Sequence, residues 1–207
     1  MRHLPFPILA VETSAGATSV ALWDGKQIHS SIESTPNQQA EKLVPMMQAL
    51  LKQHNLTCEQ LAAYATTIGP GSFTGIRIGL SALIGLQTVF PRPLYGPNTL
   101  EVAAYEAGLK EGGMVIREAL RGQAYVQEFG ANFASQSEVQ LLDYADITPD
   151  KNTLSNCAVI PGEPLPIITA ASILGLLTTR ETAPLPKHEQ KPLYIRPPDA
   201  KLPKARA

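Results

Sequence analysis

A glycine-rich loop at residues 69–75, Gly-Pro-Gly-Ser-Phe-Thr-Gly, is the segment of this sequence best suited to bind a ligand. Glycines let a backbone approach a ligand closely, and the unpaired amides at the start of a following helix attract anions. The spacing matches neither GxGxxG nor the Walker A loop, because the third glycine is one residue too far along and no Gly-Lys-Ser/Thr follows. The residues that an anion site would use are Gly69, Gly71, Ser72, Thr74 and Gly75.

The same loop also has a purely structural explanation. Gly75, Gly79, Ala82 and Gly85 place small residues at helical spacing, which lets a helix pack closely against its neighbours. From the sequence, both explanations stay open.

An acidic residue, Glu12, ends a short apolar run that reads as a buried strand. Thr13 and Ser14 follow it and open a turn. An acid at a strand end beside hydroxyl groups can position a metal-bound water or a phosphate, whereas the simpler alternative is a solvated carboxylate or a cap. Glu12, Thr13 and Ser14 therefore join the glycine loop as candidate cofactor-binding residues.

Nucleophilic and metal chemistry find little support. No histidine lies near Ser72 in the sequence, so a base for this hydroxyl would have to come from a spatial arrangement. No cluster of His, Asp and Glu has the spacing of metal ligands, and Cys58 and Cys157 form neither a CxxC pair nor a disulfide framework. We predict no catalytic residue and no metal site.

The elements that must position these loops alternate in the order βββαβαβα, which implies a mixed sheet covered by helices. The first helix is expected to have Thr35 as its N-cap, Pro36 at its first position and a bend at Pro45, and the third helix to have Thr99 as its N-cap. The strands are expected at 8–12, 18–23, 26–32, 61–68 and 93–96, with a hairpin at Asp24-Gly25. The apolar stripe of the first helix is 40–51, and the next two helices are expected at 76–89 and 99–109.

The pattern weakens after residue 110. Paired strands at 114–118 and 123–129, a strand at 158–160 and a helix at 168–181 are expected there. We divide the chain into an N-terminal lobe at 1–109, a smaller or eroded C-terminal lobe at 110–186, and a Pro-rich basic tail at 187–207 whose residues 193–198 could pack back.

The first two helices carry more apolar surface than one sheet covers. The first has one apolar stripe, and the second, at 76–89, has almost no polar face. A partner chain, or a second copy of this chain, is therefore expected on their outer side.

Composition narrows the class of protein. The 17 basic and 18 acidic side chains nearly balance, so no overall field favours nucleic acid or an anionic membrane. No signal peptide or membrane-spanning segment is predicted, and the cysteine usage fits a reducing compartment. A cytoplasmic protein without membrane contact is expected.

Several segments together resemble the TsaB (YeaZ) family. They are Ile-Leu-Ala-Val-Glu-Thr-Ser at 8–14, Ala-Glu-Lys-Leu-Val-Pro-Met at 40–46, Gly-Pro-Gly-Ser-Phe-Thr-Gly-Ile-Arg-Ile-Gly at 69–79 and Pro-Leu-Tyr-Ile-Arg-Pro-Pro-Asp-Ala at 192–200. The resemblance is dense over 8–105 and thin over 110–185. It implies an α/β fold of the actin-like, Hsp70-type (ASKHA), ribonuclease-H-like class.

The resemblance also implies a function. Proteins of this family are non-catalytic partners of the catalytic subunit TsaD, with the ATPase TsaE as a third component, in the machinery that makes threonylcarbamoyladenosine on tRNA. Contact with tRNA is then indirect, and no intrinsic cofactor is expected, although ATP at a complex interface stays open. The implied partner-binding residues are Ala40, Leu43, Val44, Met47, Leu50, Leu51, Ile76, Arg77, Gly79, Leu80 and Leu83.

Two segments depart from the family pattern. Gln39 stands where many relatives have a histidine, and the Asp-Ala-Arg-Arg-Gly-Glu-Val-Tyr stretch appears as Glu-Ala-Leu-Arg-Gly-Gln-Ala-Tyr at 118–125. The competing function is an actin-like ATPase or phosphotransferase that acts alone through Glu12.

Overall fold

The computed structural model describes residues 4–35 and 37–195, which form two five-stranded sheets and four α-helices. The strands are β1 (Ile8–Glu12), β2 (Thr18–Trp23), β3 (Ile28–Glu33), β4 (Ala63–Thr66), β5 (Leu94–Tyr95), β6 (Gly113–Ala119), β7 (Gln123–Phe129), β8 (Gln140–Asp143), β9 (Leu154–Ser155) and β10 (Glu163–Pro164). The helices are α1 (Gln39–Gln53), α2 (Phe73–Val89), α3 (Thr99–Glu106) and α4 (Ala170–Thr179).

The first sheet has the strand order β3-β2-β1-β4-β5. Strands β1 to β3 are antiparallel, whereas β4 pairs parallel with β1 and β5 parallel with β4. The predicted hairpin is present, because the Asp24 carboxylate accepts the amides of Lys26 and Gln27 at 2.8 Å each. This sheet and its βββαβαβα order confirm the actin-like, ribonuclease-H-like α/β fold.

Helices α1 and α2 cover one face of the first sheet. Their apolar stripes meet the strand side chains that point to that face, because strand residues alternate between faces and helical residues repeat every three or four positions. The resulting core contains Leu9, Val11, Val20, Leu22, Tyr64 and Leu94 from strands and Leu43, Met47, Leu50, Leu51, Leu80 and Leu83 from the two helices.

Helices α3 and α4 lie against the opposite face and join the two sheets into one core. Ala10, Ala21 and Ala65 of the first sheet share this core with Leu174 of α4 and with Val115 of the second sheet. Helix α4 comes late in the chain, yet it packs on strands β1 to β3.

The second sheet has the order β10-β9-β6-β7-β8, and β6 and β7 form the antiparallel pair expected around Arg121-Gly122. The face that points away from α3 and α4 packs against segments outside the four α-helices, which include Tyr144, Ile147, Cys157 and Ile160. The second sheet therefore has an α-helical cover on one side only.

Three local predictions are wrong. Helix α1 begins at Gln39 instead of after Thr35, whose hydroxyl donates to Glu33 Oε1 at 2.6 Å; the expected first residue, Pro36, lies outside the described residues. The N-cap of α3 is Asn98, which accepts the amides of Leu100 and Glu101, so Thr99 is already helical. The strand expected at 158–160 is absent, and the strand in this region is Leu154–Ser155.

Within the described residues, no helix has both the length and the apolar character needed to cross a lipid bilayer.

Candidate functional site

The carboxylate of Glu12 lies at the ends of two parallel strands. The register that pairs Val11 with Thr66 brings the next residues, Glu12 and Thr67, side by side. Glu12 is 1% exposed; its Oε1 accepts the Ser14 amide at 2.5 Å and the Ser14 hydroxyl at 2.6 Å, and its Oε2 accepts the Thr67 hydroxyl at 2.5 Å. The carboxylate therefore fastens the turn after β1 to the end of β4.

Burial raises the pKa of Glu12, because a charged carboxylate loses its hydration inside the protein. The hydrogen bonds from Ser14 and Thr67 oppose this shift, and so does the positive charge of Arg117. Arg117 lies on β6, so a charge of the second sheet acts on the acid of the first. Burial in turn lowers the pKa of the Arg117 guanidinium, and the negative charge of Glu12 opposes that shift.

The glycine loop packs directly on the turn that follows Glu12. A Cβ atom on Gly75 would lie 2.1 Å from the Thr13 carbonyl oxygen, and one on Gly79 would lie 2.8 Å from the Thr13 hydroxyl. The Thr13 hydroxyl donates to the Gly75 carbonyl at 2.6 Å. Gly75 is therefore required because α2 touches the backbone of the neighbouring turn, and Gly79 because α2 touches the Thr13 side chain.

The polar groups of the loop bind other parts of the chain. The Ser72 amide donates to the Ser14 carbonyl at 3.2 Å, and Ser72 caps α2 by accepting the Gly75 amide at 3.2 Å. The Gly69 carbonyl accepts the Thr99 amide at 2.8 Å, while a Cβ on Gly71 would lie 3.3 Å from Ser14. Thr74 is exposed on the first turn of α2.

The residues predicted to contact an anion thus lie close together, but many of their polar groups form hydrogen bonds with each other. A cavity of 280 Å³ is lined by residues of the second sheet and the segment after it, and one of 360 Å³ by residues around the end of α1; these two lie away from the loops. Among residues 4–35 and 37–195, no three His, Cys, Asp or Glu side chains come together as a metal site. Binding of an anion at these loops stays a prediction.

The structure buries most of the residues predicted to bind a partner, so the exposed surface of α1 and α2 consists mostly of other residues. None of the buried side chains among the predicted partner-binding residues is more than 5% exposed. These buried residues are Leu43, Met47, Leu50, Leu51, Ile76, Gly79, Leu80 and Leu83. They are part of the core that joins α1 and α2 to the sheet, so they offer no free surface. Ala40, Val44 and Arg77 are the exposed members, and Val44 is 48% exposed.

A continuous line of exposed residues runs along the outer side of α2. It consists of Phe73, Arg77, Ser81, Gly85 and Val89, each four residues from the next, and we call it the α2 ridge. Residues four apart lie on one side of a helix, so this line extends over about 24 Å. Phe73 is 53% and Val89 68% exposed, and a Cβ on Gly85 would meet nothing within 4 Å.

The sequence reasoning missed Thr67, Arg117 and Tyr194. Thr67 follows an apolar run, and its pairing with Glu12 requires the parallel register of β1 and β4. Arg117 requires the packing of two sheets. Tyr194 belongs to a segment singled out in the sequence, but its contact with Arg77, 117 residues away, has no local signal.

Comparison with known proteins gives concordant results. A model of the family TsaD, tRNA N6-adenosine threonylcarbamoyltransferase, matches residues 29–145, more than half of the chain. The protein named tRNA threonylcarbamoyladenosine biosynthesis protein TsaB from Escherichia coli is 34% identical over 125 residues, covering 59% of this chain and 54% of that protein. Its namesake from Buchnera aphidicola subsp. Schizaphis graminum is also 34% identical, over 60% of this chain and 61% of the relative. The alignments thus span somewhat more than half of these relatives.

Solved structures extend the likeness over nearly the whole fold. YeaZ from Pseudomonas aeruginosa superposes with a TM-score of 0.76, covering 91% of this chain and 99% of that one. A second structure, described as a protein with similarity to peptidase YeaZ from the same organism, gives a TM-score of 0.78 and covers 92% and 99%. Both are 22% identical, so they concern the fold alone.

Proposed function

Since the chain belongs to the TsaD family, and within it to the TsaB (YeaZ) proteins, we propose that it is a non-catalytic subunit of the machinery that forms threonylcarbamoyladenosine on tRNA. In this role it binds the catalytic TsaD subunit and works with the ATPase TsaE in the cytoplasm. Contact with tRNA comes through the assembled complex.

The state of Glu12 supports a non-catalytic role. A catalytic acid needs an open position beside the reacting atoms, whereas the Glu12 carboxylate is 1% exposed and accepts three hydrogen bonds from its own chain. The amides of Ser72 and Gly75 are also engaged. An ATPase or phosphotransferase acting alone finds no comparable support, and we place any ATP at an interface with a partner.

The outer sides of α1 and α2 support the binding role and are the single observation that carries it. Both helices cover the same face of the first sheet, so their outer sides point the same way. That surface combines exposed Val44 on α1 with the α2 ridge. Small residues such as Ser81 and Gly85 let a partner helix approach closely, and the apolar residues supply area to bury.

The mechanism is a shift of population. A subunit that binds the active arrangement of the catalytic chain more tightly than other arrangements raises the population of the active one by that difference in affinity. Such a subunit needs no catalytic activity of its own, which agrees with a Glu12 carboxylate that is buried and hydrogen-bonded within the chain.

The test is complex formation with the TsaD protein of the same organism, measured by size-exclusion chromatography with light scattering. Val44→Glu combined with Ser81→Glu places two charges on the outer side, while Val159→Glu is a control at a residue 66% exposed on the other lobe. We expect the unchanged protein and the control to form a heterodimer and the double variant, still folded, to elute alone.

Other outcomes count against the proposal. If folded unchanged protein forms no complex with folded TsaD, the binding role is wrong. If the double variant binds as well as the control, the surface is wrong. A second copy of this chain is the alternative occupant, and self-association of the unchanged protein that the double variant abolishes identifies it.

A further inference from the structure

The C-terminal segment at residues 182–195, which we call the strap, crosses from α4 to the start of α2. The Leu185 amide donates to the Leu94 carbonyl at 2.7 Å, and the Leu193 amide donates to the Ile68 carbonyl at 2.7 Å. Leu185 fills the space beside Gly96, where a Cβ would lie 2.2 Å from Leu185 Cδ1. The strap is therefore fixed along the first sheet and delivers its last described residues to the glycine loop.

Tyr194 of the strap meets two residues of the α2 ridge. Its hydroxyl accepts hydrogen bonds from Arg77 Nε at 3.0 Å and Arg77 Nη2 at 2.8 Å. The Arg77 guanidinium carbon lies 3.8 Å from the centroid of the Phe73 ring, and the Phe73 and Tyr194 rings are 5.6 Å apart. We call Phe73, Arg77 and Tyr194 the anchor cluster.

The anchor cluster is built but left open to solvent. Phe73 is 53% and Tyr194 52% exposed, and Arg77 is exposed as well. Two of the guanidinium nitrogens are held by a neutral hydroxyl, and no ion pair joins Arg77 to an acid within residues 4–35 and 37–195. The first turn of α2 contains no acidic residue either. The cluster thus presents an oriented positive charge that no carboxylate of the described residues balances.

We propose that the anchor cluster is the end of the α2 ridge that selects the partner, and that it binds an Asp or Glu side chain flanked by apolar residues on a helix of the partner protein. The inference rests on the proposed function and adds the chemistry of the partner and a role for the strap. Tyr, Phe and Arg are frequent among the residues that dominate protein interfaces. Tyr194 acts as a positioning residue for Arg77, because its hydroxyl fixes the guanidinium plane.

A protein fits this surface better than a nucleic acid. The ridge continues from Arg77 to the small residues Ser81 and Gly85 and then to apolar Val89, a surface suited to a packed helix. A phosphate backbone is recognised by several basic side chains, whereas Arg77 is the one basic residue of the ridge and the whole chain has a net charge of −1.

The test measures the Kd of the full-length protein with the partner TsaD protein by calorimetry, from about 50 mM to about 300 mM NaCl. Arg77→Gln removes the charge, Tyr194→Phe removes only the hydroxyl that orients it, and Lys151→Gln is a control for loss of an exposed positive charge on the second lobe. Arg77→Gln is expected to raise Kd roughly tenfold or more at low salt and to flatten the salt dependence. Tyr194→Phe is expected to raise Kd about threefold, and Lys151→Gln to leave it unchanged.

The outcomes separate the two proposals. If the unchanged protein fails to bind the folded partner, the proposed function fails and this inference with it. If the unchanged protein binds and Arg77→Gln and Tyr194→Phe bind equally well with the same salt dependence, the inference alone is overturned. It is also overturned if Arg77→Gln leaves the partner affinity intact and abolishes binding of the protein alone to tRNA. Thermal melting of each variant verifies that it is folded.

Discussion

The two sides of helix α2 use glycine for opposite reasons. On the inner side, Gly75 and Gly79 have no room for a side chain, because Thr13 lies 2.1 and 2.8 Å from where their Cβ atoms would be. On the outer side, a Cβ on Gly85 would meet nothing within 4 Å. An exposed glycine inside a helix costs about 1 kcal/mol of stability relative to alanine, and at Gly85 no contact with the described residues offsets that cost.

A pattern of small residues does not by itself say what approaches the helix. Inside, the neighbour is the turn after β1, so the glycines serve the fold. Outside, Tyr194 covers the first turn of the helix, but at Gly85 the described residues supply no neighbour. The outer side is therefore where a partner helix explains the residue, and substitutions can separate the two sides.

The largest expected difference in the free energy of unfolding comes from placing a carboxylate at one of two adjacent residues that lie on opposite sides of α2. Leu80 is 3% exposed, so Leu80→Glu buries an unpaired charge and should lower the free energy of unfolding by about 4 kcal/mol or more. Ser81→Glu, one residue further on the exposed ridge, should change it by no more than about 0.5 kcal/mol. Urea denaturation of both variants is the measurement, and equal losses would contradict the division of α2 into two sides.

Two glycine-to-alanine substitutions are expected to have smaller effects on the free energy of unfolding, and these two effects should differ in sign. Gly75→Ala forces the new methyl group against the Thr13 carbonyl and should destabilise the protein by about 3 kcal/mol. Gly85→Ala should stabilise the isolated protein by about 0.5–1 kcal/mol because it reduces the flexibility of the unfolded chain. The same urea experiment compares them. Stabilisation by Gly75→Ala would show that helix α2 does not touch the turn after β1.

The smallest expected effect is the pH dependence of stability that arises from Glu12, which lies near the inner side of α2. Burial raises the pKa of Glu12, so the folded protein binds this proton at a higher pH than the unfolded chain does. Lowering the pH from about 8 to about 5 should therefore stabilise the natural protein relative to Glu12→Gln, which does not titrate. Urea midpoints of both proteins at several pH values give the difference. If the natural protein instead loses stability relative to Glu12→Gln as the pH falls, the ionised carboxylate is the form that the fold prefers.

Much of the fold could be predicted because its signals are local. The apolar runs of β1 and β2, the Asp24-Gly25 hairpin and the amphipathic stripe of α1 each lie within a few residues, and all three are present. The N-caps were less predictable. Several polar residues precede each helix, and the choice of Asn98 over Thr99 depends on which side chain reaches the first free amides.

Several residues named as one candidate site lie together, but Thr67 and Arg117 were missed and the geometry was not predicted. Glu12, Ser14, Ser72 and Gly75 do meet in space. The sequence could not show that their polar groups would satisfy each other, because this depends on distances between segments that lie about sixty residues apart.

Local sequence pattern was enough to predict the βββαβαβα order of the first sheet and its helices, the glycines that the close approach of α2 requires, and the family. These follow from periodicity and from residue types that tolerate few alternatives. Tertiary structure alone decided which apolar residues of α1 and α2 are core and which are surface, because a stripe such as Leu43, Val44 and Met47 is divided by the position of the sheet. It also decided that Tyr194 would hold Arg77, since a contact between residues 117 positions apart exists only after the chain has folded.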